Sequence, residues 1–207
     1  MIKKLIELFS KKEEKNNANN INKKYFSHIT NDGMLTKFDE RDLDANGHYT
    51  TPEDVVSIAQ GAFESCQNLI SVKIGDNVKY LGSGAFAGCL NLKKATLPCN
   101  LKNILSHTFN ACRNLEEITW PENLQSIGCS AFFCCESLKS ADLPDSLTLI
   151  HNGAFAYCNN LKSIRVPQNS NILVSPTVFG ICPSKEQLEF IEQADQIAID
   201  KNKGVTQ

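Results

Sequence analysis

The sequence predicts an α/β repeat solenoid: six stacked 23-residue coils with a parallel sheet on one face, short helical turns on the other, and a C-terminal capping helix. Three columns carry that expectation. Phenylalanine recurs at Phe63, Phe86, Phe109, Phe132 and Phe155, each 23 residues apart, and at Phe179 after 24. Three residues beyond each stands a cysteine, at Cys66, Cys89, Cys112, Cys135, Cys158 and Cys182. Three further on come Leu69, Leu92, Leu115, Leu138 and Leu161, mostly preceded by asparagine (Asn68, Asn91, Asn114, Asn160); the last copy lacks this column. A unit this short cannot enclose a core, so its inward residues must stack on the equivalent residues of its neighbours.

Within each unit the pattern assigns the elements in order. After the leucine runs a short alternating segment, such as Val72 and Ile74, Ala95 and Leu97, Ile118 and Trp120, Ala141 and Leu143, or Ile164 and Val166. Period two over so few residues is a strand with one face on a core. Pro98, Pro121, Pro144 and Pro167 end it, because proline brings no amide hydrogen to a ladder. A second apolar pair follows, as in Val78 and Leu81 or Leu124 and Ile127, and predicts a brief extended piece before the Ala-Phe-x-x-Cys turn. Phenylalanine fills the wide part of the coil, Cys and Ala suit the sharp bend, and the asparagine amides can satisfy backbone groups there as a ladder.

The composite Leu-Pro-x-x-Leu-x-x-Ile-x-x-x-Ala-Phe-x-x-Cys-x-x-Leu-x-x-Ile-x-Leu-Pro resembles the BspA-type leucine-rich repeats over about residues 48–182. The resemblance implies a curved leucine-rich-repeat solenoid used for adhesion and other protein contacts. Thr108 in place of Ala, Ser137 in place of Asn and the extra residue before Phe179 depart from the pattern.

The ends read differently. Residues 1–24 are expected to form a flexible tail, with Ile2, Leu5, Ile6 and Phe9 on one face of a frayed helix and a Lys/Glu/Asn-rich linker behind it. Residues 25–47 form an N-terminal cap, with Met34, Leu35, Phe38 and Leu43 as its apolar material, and 48–182 the solenoid. In 183–207, Ser184 as N-cap with Gln187 in the capping-box position starts a helix over about 184–199. Leu188, Ile191, Ala194 and Ala198 are expected to cover the last coil, and 201–207 to fray.

Composition limits the function. At 42% apolar and 21% charged residues the chain can bury a core, and its formal charge of -2 argues against a sequence-independent hold on nucleic acid. No apolar run approaches the length of a transmembrane helix and no secretory signal is legible. The nine cysteines fall mostly on one core column, so reduced thiols are expected. That favours a cytoplasmic protein, or one exported without a cleaved signal peptide such as a host-directed effector.

Candidate sites are few. Asp42, Asp44, Asn46 and Glu53, with Gly47 at the turn, match the oxygen-ligand spacing of an EF-hand calcium loop. Pro52, however, keeps register with the strand-ending prolines, so a helix after Glu53 is not expected. Cys129, Cys134 and Cys135 cluster without a second Cys-x-x-Cys or a His pair to complete a zinc site, and His28, His48, His107 and His151 occupy unrelated repeat positions. No catalytic set and no cofactor is implied. For partner binding the candidates are the outward strand positions Lys73, Thr96, Thr119, Asp142 and Arg165, together with Phe133, Tyr157 and Ile181. These last three are bulky where the other repeats carry mostly small residues, and they predict an exposed apolar patch suited to a protein partner or to self-association. A non-catalytic protein-interaction module follows; a calcium-responsive module and a structural spacer are the alternatives.

Overall fold

The computed structural model describes residues 28–165, 172–180 and 184–204. Each coil contributes two short parallel strands. The first series comprises β2 (His48–Thr50), β4 (Ser71–Lys73), β6 (Lys94–Thr96), β8 (Glu117–Thr119), β10 (Ser140–Asp142) and β12 (Ser163–Arg165). The second comprises β1 (Met34–Leu35), β3 (Ser57–Ile58), β5 (Tyr80–Leu81), β7 (Asn103–Ile104), β9 (Ser126–Ile127), β11 (Leu149–Ile150) and β13 (Leu173–Val174). Pairing runs at one repeat per step, with Val72 beside Ala95 and Ala95 beside Ile118. Between β11 and β13 the step lengthens to Leu149 beside Leu173, which absorbs the extra residue before Phe179.

The phenylalanine column is the axis of the core. Phe63, Phe86, Phe109, Phe132 and Phe155 are almost wholly buried, and their rings stack with centroids 4.7, 5.3, 5.4 and 5.2 Å apart. The column also extends one step beyond the repeat pattern, because Phe38 stacks on Phe63 at 4.5 Å. Its amide donates to the Ala62 carbonyl, as Phe63 donates to Ala85, and β1 pairs with β3. The N-terminal cap is thus a further coil, masked in the sequence by a spacing of 25 rather than 23.

On the turn face the expected short helical turns do not close into helix. The amides of Ala62, Glu64 and Cys66 bond three residues back, whereas those of Gly61, Phe63 and Ser65 donate to Ser83, Ala85 and Ala87 of the next coil. This alternation needs a left-handed residue two positions before and two after each phenylalanine. The coils supply Gly61, Gly84, His107, Ser130 and Gly153 before it, and Ser65, Gly88, Ala111, Cys134 and Tyr157 after it. A third ladder therefore replaces the helix.

The cysteine column has a further reason. The Sγ atoms of Cys89, Cys112, Cys135 and Cys158 donate to the carbonyls of Phe63, Phe86, Phe109 and Phe132 at 2.9, 3.1, 3.2 and 3.0 Å. A thiol fills the volume of a small apolar residue and also tethers adjacent coils. Cys182 and Ile181 lie outside the described residues, as does the tail expected over 1–24. Thr108 is buried, with its hydroxyl donating to the Leu105 carbonyl at 2.7 Å.

The asparagine row is closed at both ends. Asn91 donates its amide to Gln67 O at 2.9 Å and Asn160 to Glu136 O at 2.7 Å, while Asn68, which faces the cap coil, donates to a side chain instead. The Glu40 carboxylate, in a 3-10 turn over Glu40–Asp42, stands in by accepting from both Asn68 Nδ2 and Asn68 N. At the far end the amide of Gln187 donates to the carbonyls of Cys158 and Leu161 at 3.3 and 3.4 Å. Its Oε1 accepts from Ser184 N and its own amide donates to Ser184 Oγ, which forms the capping box.

That helix, α1, runs over Lys185–Gly204, five residues past the expected end. Its buried face also differs from the expected Leu188, Ile191, Ala194 and Ala198. Gln187, Phe190 and Ala194 are buried and Ile191 half-buried, whereas Leu188 is 47% exposed. The anchored Gln187 and the edge of Phe190 against Phe179, at 5.7 Å, set the helix rotation. Ala198's side chain lies outside the description.

Candidate interaction surface

The turn face and the first strand series are the two surfaces with functional candidates. On the turn face the second column after each phenylalanine is small in the early coils, and a shallow trough of about 450 Å³ is lined there by Ser65, Gly88 and Ala111 together with Glu64, Ala87 and Asn110. At coil four it changes character. Phe133 and Tyr157 meet edge to face at 5.1 Å, and Tyr157 is 53% exposed although its backbone is left-handed. A bulky side chain there costs about 1 kcal/mol of backbone strain. Helix α1 lies on the end of the stack rather than over this pair, as its bonds to Cys158 and Leu161 show.

On the sheet face the five outward residues share one surface but fall into two blocks. Lys73 stands beside Thr96 and Thr96 beside Thr119, while Asp142 stands beside Arg165. No ladder joins the blocks, because β8 and β10 are not paired. Ion pairs lace the surface: Lys94 to Glu117 at 2.7 Å, Arg165 to Asp142 at 3.6 Å and Arg165 to Asp145 at 2.9 Å. The Lys94 ammonium holds the Glu117 carboxyl below its usual range. Trp120 escaped sequence reasoning, which placed it simply as an inward strand residue. The available signal was its size, an indole in a column otherwise of Ile74, Leu97 and Leu143.

The calcium spacing does not gather into a ligand shell. Asp42 ends the 3-10 turn, no helix follows Glu53, and Asp44 Oδ1 accepts from Asn46 N at 2.8 Å and His48 N at 2.9 Å. These two amides hold the Asp44 carboxyl below the usual range and make it a turn former. Among the described residues no group of three or more His, Cys, Asp or Glu is placed to hold a metal ion. Cys135 is in the core, Cys134 half-buried and Cys129 exposed. The histidines are dispersed: His48 touches Ser71, His107 touches Asn110, and His28 lies near Asp39. Beside Asp39 the Arg41 guanidinium holds the carboxyl far below its ordinary value.

Parallel strands repeated every 23 residues around stacked phenylalanines define the leucine-rich-repeat class of solenoid. The BspA type leucine rich repeat region matches residues 46–162 and 85–200 in six copies, and the chain belongs to that family. A leucine rich repeat protein of T. pallidum is similar at 25% identity and TM-score 0.57, over 80% of this chain and 91% of that one. One from Bacteroides ovatus is similar at 31% identity and TM-score 0.59, over 69% of this chain and 38% of that one. A leucine rich cell surface protein of Faecalibacterium prausnitzii is similar at 28% and 0.61, over 79% and 39%. The chain therefore spans less than half of the last two. No curated protein matches its sequence. Among the described residues no helix is long and apolar enough to cross a membrane.

Proposed function

We propose that this chain is a non-catalytic module that holds a protein partner on its solenoid surface, with the Phe133–Tyr157 pair as the main apolar contact. The observation that carries this reading is an aromatic pair, with Tyr157 exposed and Phe133 half-buried, at repeat positions that the fold does not need filled. Phe133 and Tyr157 stack on each other rather than into the phenylalanine column, and Tyr157 keeps its side chain outside at a conformational cost. Rigid aromatics with low side-chain entropy are the residues that most often anchor protein contacts. Membership of a repeat family generally used for protein contacts supports the same reading.

Replacing both residues, Phe133→Ser with Tyr157→Ser, tests it. Partner capture by the intact chain, or its self-association in sedimentation, should be lost while the melting temperature stays within a few degrees. Unfolding of the double variant would make the pair part of the core and end the proposal.

A further inference from the structure

The first strand series is interrupted between β8 and β10, next to Trp120, as the second is between β5 and β7. Adjacent strands lie about 4.8 Å apart, too close for an indole to stack in register where Ile74, Leu97 and Leu143 fit. The ring instead tilts against Phe132 and Phe155 of the next two coils, at 5.3 and 6.3 Å. It thereby lines the gap between β8 and β10 together with Ser140 and Asp142. The opening is a cleft of about 240 Å³, lined by half-buried Trp120 with Lys94, Glu116 and Glu117 on one side and Asp142 on the other.

Its electrostatics are one-sided. Lys94 is engaged by Glu117, and Arg165 is divided between Asp142 and Asp145. Glu116 has no ion pair among the described residues. Of the charged residues that line the cleft, one is a cation, Lys94, and three are carboxylates, Glu116, Glu117 and Asp142.

We propose that this cleft receives a cationic side chain of the protein partner, an arginine, laid against Trp120 with its charge met by Glu116 and Asp142. The inference rests on the reading of the chain as a protein-binding module. Indole is the strongest aromatic acceptor for a cation, and the flat, weakly hydrated guanidinium suits a narrow slot better than an ammonium does. The facing edges of β8 and β10, unpaired with each other, leave main-chain groups to receive the backbone that delivers the arginine.

Trp120 is the only tryptophan in the chain, so its emission reports on this cleft alone. Titrating the full chain with acetyl-Gly-Arg-Gly-amide should give a saturable change in emission. The matched citrulline peptide, which keeps the shape without the charge, should give none. Glu116→Gln combined with Asp142→Asn should weaken the response at least about fivefold, as should raising salt to about 1 M. In Trp120→Leu the ladder should close, and amide exchange should show new protection at 117–119 and 140–142. An absent arginine response, or an equal one to citrulline, overturns the proposal. A protein partner held equally by wild-type and Trp120→Leu chains also overturns it, while leaving the module reading intact; loss of that partner in a folded Trp120→Leu chain supports it.

Discussion

Alkaline titration should unfold this protein steeply, and the thiol column is the reason. Burial pushes the Cys66 thiol up to about 11 and Cys112 to about 12, and raises Cys89 and Cys135 as well. In an unfolded chain the same groups ionise near 9 or slightly below. Above that pH the unfolded state has lost protons that the folded state still holds, so each further step in pH favours unfolding. The stabilisation is complete below the unfolded value and is lost as pH climbs toward the folded ones. Each thiol contributes about 1.4 kcal/mol per pH unit in this window, so these four together give roughly 5 kcal/mol per unit. Against a total stability of about 10 kcal/mol, the midpoint should fall roughly two units above the onset, close to pH 11. Urea melts in reductant from pH 7.5 to 11 measure this directly. Cys112→Ala should lower the slope by one thiol's share, about 1.4 kcal/mol per unit. Stability that stays flat to pH 11, or a slope that Cys112→Ala leaves unchanged, refutes the picture of a packed thiol column.

Phe109 is clasped between Phe86 and Phe132, so Phe109→Ala should cost about 3 to 5 kcal/mol in chemical denaturation. Because neighbouring coils stabilise one another, Cys112 and Cys135 should become reactive to a thiol reagent in the same variant; continued protection would contradict the coupling. Gln187→Met keeps the size of the side chain but removes its bonds to Cys158 and Leu161. A loss of about 1 to 2 kcal/mol, with hydrogen exchange rising first at 149–165, is expected. Added calcium should leave the melting temperature unchanged, because Asp44 already serves two backbone amides; a rise with calcium concentration would restore the loop as a ligand site.

The repeat was legible because every coil solves the same packing problem with the same residues, so Phe, Cys and Leu columns announce their neighbours. The N-terminal coil was recognised only as apolar material, since Phe38 arrives 25 residues before Phe63 and breaks the count. The turn face was misread for a different reason. A helix and a run of turns both place residues three apart on one side, and only the left-handed positions separate them. Gly61, Gly84 and Gly153 mark these positions, but His107 and Ser130 hide the column. The face of α1 was misjudged by one residue, because a hydropathy pattern favours Leu188 over Gln187 and cannot foresee that the carbonyls of Cys158 and Leu161 at the end of the stack accept from an amide. Of the candidate surface, Phe133 and Tyr157 were visible as outliers in small-residue columns. The cleft was not, because it lies between two coils and depends on which neighbouring strands pair.

Glu40 and Gln187 have a consequence beyond stability. A stack made of like coils carries at one end the hydrogen-bonding groups that the other end lacks, so the bare ends of two molecules would fit each other as coil fits coil. Such a contact is head-to-tail and does not close on itself; repeated, it would grow a filament without limit. The carboxylate at one end and the helix with its amide at the other act as stoppers on that growth. They mark where the run of stacked coils stops, so the length of the stack is set by its two terminators rather than by the repeat.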